Sequence, residues 1–289
     1  MLPKVTIQQL EYLEAVTTAD TWAEAAATVG VSASALSQGL AELEKRIGLP
    51  LFAWRGRQRI IDTDAVPVVD YCRRVLADTR DLSDWIERRH AGEVGQLRLG
   101  MIDVGAVHHY PDQLAEFRHS HPEVSLTLAV APSAPLLSRV VDGDLDLAIV
   151  VQPDDEMVER HDLVVVELLD EPLAVYAPAG VPVGKPGTWG PWVTFPEDSL
   201  TRQTIAAELQ RRGAPFEVVA ESNQPDVIRE MVNLSIGWTV LPEVQAERGE
   251  RPLRRALKDQ FANRRLVAVR RSTSSNPLID ELLGVLTSS

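Results

Sequence analysis

With 289 residues, 45% of them hydrophobic, and no low-complexity tract, the chain is long enough for two or three packed domains with real cores. Its formal charge of −13 argues against holding nucleic acid through bulk charge, and a single cysteine, Cys72, excludes an intramolecular disulfide framework or a multi-Cys zinc site. No apolar run nears the roughly 20 residues a membrane span needs, and MLPKVTIQQL lacks an apolar signal core, so a cytoplasmic, membrane-free protein is expected.

Thr6 to Thr18 reads as a first helix, with Ile7, Leu10, Leu13 and Val16 at helical spacing. Residues 21 to 59 then read as a winged helix-turn-helix. Trp22, Ala25, Ala26 and Val29 form the stripe of a short helix, Gly30 is free to turn left-handed, and Val31 plugs the corner. Ser32 caps a second helix that carries Ala35, Leu36, Leu40, Leu43 and Ile47 on its buried face. Ser34, Ser37, Gln38 and Ala41 fall on the other face, the composition of a helix that enters a major groove and reads base edges. An ordinary helical hairpin with a polar outer face is the alternative.

Gly48 and Pro50 end that helix, Leu51 and Phe52 return to the core, and Trp54 to Arg59 make a short turn with Arg55, Arg57 and Arg59 at alternate positions. Between Lys45 and Ile61 there are five basic residues and no acidic one. Beside a recognition helix, such a hairpin suits a phosphate-holding wing; elsewhere it would be a solvated charge run. The DNA-contact set expected is Thr21, Ser32, Ser34, Ser37, Gln38, Lys45, Arg55, Arg57 and Arg59. Residues 1–91 carry 11 Lys and Arg against 13 Asp and Glu, a net of −2, so most acidity lies beyond the reader segment. Affinity must then come from paired copies and local clustering.

From Asp64 to about His90 a long helical stripe follows: Val66, Val69, Cys72, Val75, Leu76, Leu82, Trp85 and Ile86. Pro67 is tolerated in its first turn. The stripe suits a dimer-forming linker helix, or else packs on its own chain. Ala91 to Gly95 breaks it, which places the domain boundary there. The expected division is 1–63 for the reader, 64–91 for the linker and 92–289 for an α/β domain.

That last region alternates strands and helices. Strands are expected at Gln96–Ile102, Ser125–Val130 and Leu145–Val151, with helices at Tyr110–His119 and Pro135–Asp142. A second cycle has strands at Leu173–Ala177, Trp192–Phe195, Phe216–Ala220, Gly237–Leu241 and Leu266–Val269. Its helices are Thr201–Arg212, Pro225–Asn233, Pro242–Arg248 and Pro277–Leu286. Two such series suggest two lobes, each a parallel sheet covered by helices, with ligands at the carboxyl ends of strands.

The stretches AEAAATVGVSASALSQGLAELEKRIGLPLF, QLRLG, HPEVSLTL, DGDLDLAIV and IGWTVLP occur in the order and spacing of one family. By them the chain resembles the LysR-type transcriptional regulators over essentially its full length. The reader-domain phrase is specific, and the others are individually weak. The resemblance implies an α/β protein with an all-α winged helix-turn-helix, a linker helix and a two-lobed domain like the periplasmic binding proteins. Its lobes would span about 92–163 with 267–289, and about 164–266. It implies double-stranded DNA and a small-molecule effector as partners, a homodimer or homotetramer, and RNA polymerase as a further partner if the protein activates. It implies no cofactor. The chain departs from the family at Ala33-Ser34, where Gln-Pro is usual, and at Ser37-Gln38, where an Arg commonly follows the serine. Met101-Ile102-Asp103-Val104 lacks the usual hydroxyl after the first strand of the second domain.

Strand ends nominate Asp103, Ser133, Gln152, Phe195, Ser199, Thr201, Arg202, Ser222 and Gln224 as pocket residues. Arg202 is the nearby cation for a carboxylate, or a solvated first-turn residue. Asp103 holds an amine or caps a helix, and Ser133 and Ser222 are cap candidates too. The pairing of Arg202 with Asp103 favours a zwitterion or mono-acid over a dicarboxylate. Catalytic readings fare poorly. Val183-Gly184-Lys185-Pro186 has proline where a phosphate loop needs Ser or Thr, and Asn233 to Gly237 lacks the first glycine of a nucleophile elbow and any later histidine. Histidines 108, 109, 119 and 121 lack metal-ligand spacing. The chain is expected to have neither catalytic nor metal residues. The competing classes are an enzyme with a DNA-binding head and a constitutive DNA-binding protein.

Overall fold

Thr6 starts the first helix, α1 (Ile7–Thr18), through a reciprocal cap: its hydroxyl accepts from the Gln9 N–H while the Gln9 side chain accepts from the Thr6 N–H. The computed structural model describes residues 4–55, 58–91, 95–248 and 251–288. By its contacts the chain divides into two units, Met1–Gly92 with Val141–Asp144, and Glu93–Val140 with Leu145–Ser289.

In the first unit α1 buries Leu10, Tyr12, Leu13 and Ala15, whereas Ile7, expected on that face, is exposed. Thr21 caps α2 (Trp22–Thr28), and Gly30 turns the chain at φ +69°. Ser32 then caps α3 (Ala33–Ile47), which Gly48 ends at φ +72°. Leu36, Leu40 and Leu43 are fully buried, and such burial contributes about 1.5–3 kcal/mol per side chain. Ala35, expected on the buried face, is exposed, so the stripe begins one residue later. Gly39 faces α1 so closely that a Cβ there would lie 2.6 Å from the Tyr12 ring.

The strands β1 (Phe52–Arg55) and β2 (Gln58–Ile61) pair antiparallel, with Trp54 opposite Arg59. One 3-10 turn leads into α4 (Val66–Ala91). The expected dimer stripe is corrected over its first half, which packs on its own chain. Val69, Cys72 and Leu76 are buried against the core of α1, α2 and α3, and the Cys72 thiol donates to the Leu10 carbonyl at 3.1 Å. Those helices need a lid over their open side, and the first half of α4 supplies it. Tyr71, Leu82 and Ile86 stay exposed.

The second unit follows the expected alternation at first: β3 (Gln96–Met101), a π-helical turn at Gly105–His109, α5 (Pro111–Ser120), β4 (Ser125–Val130), α6 (Ser133–Val141) and β5 (Leu147–Val151). Then come α7 (Asp155–Arg160) and the long strand β6 (Leu163–Tyr176), of which only the end, from Leu173 on, was expected. Asp170-Glu171-Pro172 interrupts its apolar run, so the sequence reads there as a break. In the fold those charges are met across the ladder, where Glu171 stands opposite Arg264 and Asp170 opposite Arg265. The remainder is β7 (Trp192–Thr194), α8 (Leu200–Arg211), β8 (Val218–Glu221), α9 (Pro225–Asn233), β9 (Thr239–Pro242), α10 (Glu243–Ala246), β10 (Ala262–Arg271) and α11 (Pro277–Thr287).

One sheet runs β4-β3-β5-β10-β6-β9, and β7 pairs with β8. The expectation of two parallel sheets is therefore corrected. β3 is parallel to β4 and β5, but β10 is antiparallel to β5 and β6, and β6 to β9. β10 returns from the second lobe and inserts between β5 and β6, running against both. Two hydrophobic cores share these long strands. β6 leaves the first core after Leu169 and enters the second at Leu173, while β10 passes the other way between Ala262 and Ala268. A register shift at Leu266/Val267 marks the crossing on β10. The expected crossing at 163/164 thus falls where β6 begins, before it has left the first core.

Candidate functional site

On α3, Ser34, Ser37, Gln38, Ala41 and Lys45 are all exposed and follow the spacing of one helical face. Opposite them Leu36, Leu40 and Leu43 hold the helix in the core, so its outer face is presented rigidly. Thr21 and Ser32 are exposed caps whose oxygens accept from the backbone N–H groups of Glu24 and Ala35. Each hydroxyl keeps its own proton to donate to a phosphate. Arg55 and Arg59 lie on β1 and β2, described in their backbone alone, and Arg57 lies outside the described residues.

In the second unit a cavity of about 470 Å³ opens where strands end, within the ~300–1,000 Å³ usual for small-molecule sites. Ile102 and Asp103 follow β3, Val130 to Ser133 close β4 and open α6, and Val151 ends β5. From the other side come Phe195 after β7, Ser199 and Thr201 at the start of α8, Asn223 to Asp226 before and in α9, Gln245 of α10 and Arg264 of β10. Val107 and His108 of the π-helical turn complete the lining. Carboxyl ends of strands leave the sheet pointing to one edge, which is why these residues converge.

Of the nine expected pocket residues, Asp103, Ser133, Phe195, Ser199, Thr201 and Gln224 line this cavity and three do not. Arg202 points back along α8, where it donates to the Phe195 carbonyl at 3.1 Å, pairs with Glu221 and stacks 5.6 Å over Phe216. Gln152 prolongs the β5 ladder through its N–H to the Arg265 carbonyl, so its side chain takes the face opposite Val151. The Ser222 hydroxyl accepts from the Gln224 N–H and serves the turn ahead of α9.

Arg264, which sequence reasoning passed over, takes the place intended for Arg202. Its side chain is 4% exposed. Nε donates to Glu171 at 2.6 Å, Nη1 donates to the Thr201 hydroxyl at 2.8 Å, and Nη2 has no partner among the described residues. A buried charged donor left unpaired costs at least about 1–3 kcal/mol. Glu171 also meets His109 Nε2 at 2.6 Å. Burial would raise the Glu171 carboxyl, but Arg264 and His109 outweigh it and hold it below its ordinary range. A signal did exist in the sequence: the acidic pair 170–171 and the basic pair 264–265 are complementary, and they face each other in register.

Gln245 Nε2 donates to Asp103 Oδ2 at 2.8 Å, and Gln245 Oε1 is buried without a partner among the described residues. Burial pushes the Asp103 carboxyl up, only partly offset by the Val104 N–H, Arg264 and Gln245. Burial likewise lowers His108, with help from Arg248 and His109. Among the described residues no group of three or more His, Cys, Asp or Glu is placed to hold a metal ion. No helix among them is long and apolar enough to cross a membrane.

Residues 7–65 match the family model for the bacterial regulatory helix-turn-helix protein of the lysR family, and residues 90–289 match the LysR substrate binding domain. The chain is 25% identical over 243 residues to a probable RuBisCO transcriptional regulator of Guillardia theta, covering 80% of this chain and 78% of that protein. It is 27% identical over 236 residues to the HTH-type transcriptional regulator IlvY of Escherichia coli K12, covering 78% and 77%. The crystal structure of full-length CbnR with its target DNA superposes with a TM-score of 0.61 at 16% identity, covering 98% of this chain and 99% of that one. At that identity the likeness is one of fold.

Proposed function

The chain belongs to the LysR family and is a DNA-binding transcriptional regulator with an effector-binding domain, and we propose that α3 reads its operator while the cavity between the lobes holds a small effector. The observation that carries the effector half is the origin of the cavity walls: β3, β4 and β5 end on one side, and β7, β8 and α10 stand on the other. A ligand that touches both lobes stabilises one closure over another, and that differential contact is what a switch requires.

Exposed polar groups on α3, at the spacing of one face, support base reading by Ser34, Ser37 and Gln38, with Lys45 on phosphate. The CbnR structure was solved with its target DNA, which supports duplex DNA as the partner here. We take Thr21, Ser32, Arg55, Arg57 and Arg59 as further backbone contacts. The protein acts in the cytoplasm as a homodimer or homotetramer, paired through the exposed residues of α4, and touches RNA polymerase where it activates. The lobes bind their ligand without converting it.

The test uses the full chain. Operator fragments selected from genomic DNA are titrated with and without small molecules that raise the melting temperature. A ligand that shifts DNA affinity, and whose effect Val107→Trp removes by filling the cavity, supports the reading. Ligands that bind without changing DNA affinity, or that are turned over, count against it.

A further inference from the structure

Two residues of the cavity lining each carry a buried polar atom without a partner among the described residues, and the two are of opposite kind: the donor Arg264 Nη2 and the acceptor Gln245 Oε1. Beside Gln245 stands the Asp103 carboxylate, half-buried, which receives the Gln245 amide on Oδ2. The lining residues thus include one cationic donor and an acceptor pair of which one member is a carboxylate, the two unmet atoms themselves being fully buried. The same lining includes the apolar Ile102, Val130, Val151 and Phe195.

Resting on the effector-cleft reading above, we propose that the cleft takes an apolar α-amino acid as its zwitterion, with the carboxylate on Arg264 and the ammonium on Asp103 and Gln245. A carboxylate accepts from Nη2, the group that Glu171 and Thr201 leave free. An ammonium donates to the Asp103 carboxylate and to Gln245 Oε1, which no other ligand group of the same size satisfies with charge. The aliphatic or aromatic side chain covers the apolar walls. A simple carboxylic acid leaves the acceptors unmet, a simple amine leaves Nη2 unmet, and a dicarboxylate sets a second negative charge beside Asp103. Asp226 does not compete for the ammonium, since it lies exposed on the rim and pairs with Arg229 at 2.9 Å. Glu171 does not either, since Arg264 and His109 occupy it.

Calorimetry of the full chain against each of the twenty L-amino acids tests this, followed by the binder's des-amino acid, its decarboxylated amine and its α-hydroxy acid. One apolar amino acid is expected to bind, and each analogue lacking a charged group to bind roughly 100-fold or more weakly, because the site's polar groups are then unpaired. Asp103→Asn should erase the preference for the amino acid over its des-amino acid. Arg264→Lys should weaken every carboxylate while leaving the amine unaffected. The proposal is overturned if none of the twenty binds, if the des-amino acid binds as tightly, or if Asp103→Asn changes nothing. A ligand of another class that binds the wild type but not Val107→Trp overturns the zwitterion and keeps the cleft. Amino-acid binding at full strength in Val107→Trp removes the cleft reading itself.

Discussion

Arg264 on β10 and Glu171 on β6 stand opposite each other in the ladder, 2.6 Å apart, with side chains only 4% and 1% exposed. They lie on the stretch where both strands pass from one core to the other. An ion pair here joins the two lobes' shared strands to the cavity wall, and through His109 to the π-helical turn.

Breaking this pair should be costly. Glu171→Gln leaves the Arg264 charge buried without its counter-ion, and such losses run to about 3–5 kcal/mol. Urea unfolding should show that destabilisation at neutral pH, and a double variant, Glu171→Gln with Arg264→Gln, should lose less than the two single variants summed. The pH dependence has a definite sign. Glu171 is held below its ordinary value of 4.5 in the fold. Its contribution is therefore complete above that value and fades as pH falls through the depressed one. The gap between wild type and Glu171→Gln should narrow below pH 4.5, and a gap that widened there would contradict the assignment.

Gly39→Ala should destabilise the reader unit. The new Cβ would stand 2.6 Å from the buried Tyr12 ring, and α1 must move away from α3 to admit it. Overpacking of this kind costs about 1–3 kcal/mol. A lower melting temperature with weaker DNA binding is expected, and pairing it with Tyr12→Leu should recover part of the stability. No recovery would mean that the contact is not the cause.

Two residues on α4 should behave differently. Leu76 is 3% exposed and packs on its own chain, so Leu76→Asp should unfold the reader unit, with loss of helical signal. Leu82 is 57% exposed, so Leu82→Asp should leave the fold intact and weaken self-association in sedimentation. If Leu82→Asp sediments as the wild type does, the exposed half of α4 is not the pairing surface.

On α3, Gln38→Ala should relax preference at one base pair per half-site, by about 1–3 kcal/mol of discrimination. Lys45→Ala should weaken matched and scrambled DNA alike and reduce the salt slope by about one unit. Selection from random DNA, with titrations at several salt concentrations, separates the two effects. A Lys45 variant with altered base preference would make Lys45 a base reader and not a phosphate contact.

Cys72 should resist thiol reagents in the folded protein. It is 1% exposed, and burial pushes its thiol up to about 12, so almost no thiolate exists near neutral pH. Its labelling rate should track unfolding in urea. Rapid labelling of the native chain would show that α4 opens from the core.

Local and periodic features were legible in the chain itself. Ser32 caps its helix as expected, and Thr6 and Thr21, not read as caps, do the same, because a cap needs only a hydroxyl and the backbone three residues on. The ends of the strands led to six of the residues that line one cavity, because carboxyl ends of a twisted sheet converge. Which face of α4 meets which partner was beyond reach, since one apolar stripe is compatible with a lid over its own core or with a second chain. The course of β6 and β10 was beyond reach for a related reason. A buried Glu171 or Arg264 reads as a break until the opposite charge, 93 residues away, is brought into register. The choice of Arg264 over Arg202 as the cavity's cation was likewise tertiary. Both are arginines near strand ends, and only packing sends Arg202 to Glu221 and Phe216 while it holds Arg264 in the cavity lining with Nη2 unpaired among the described residues.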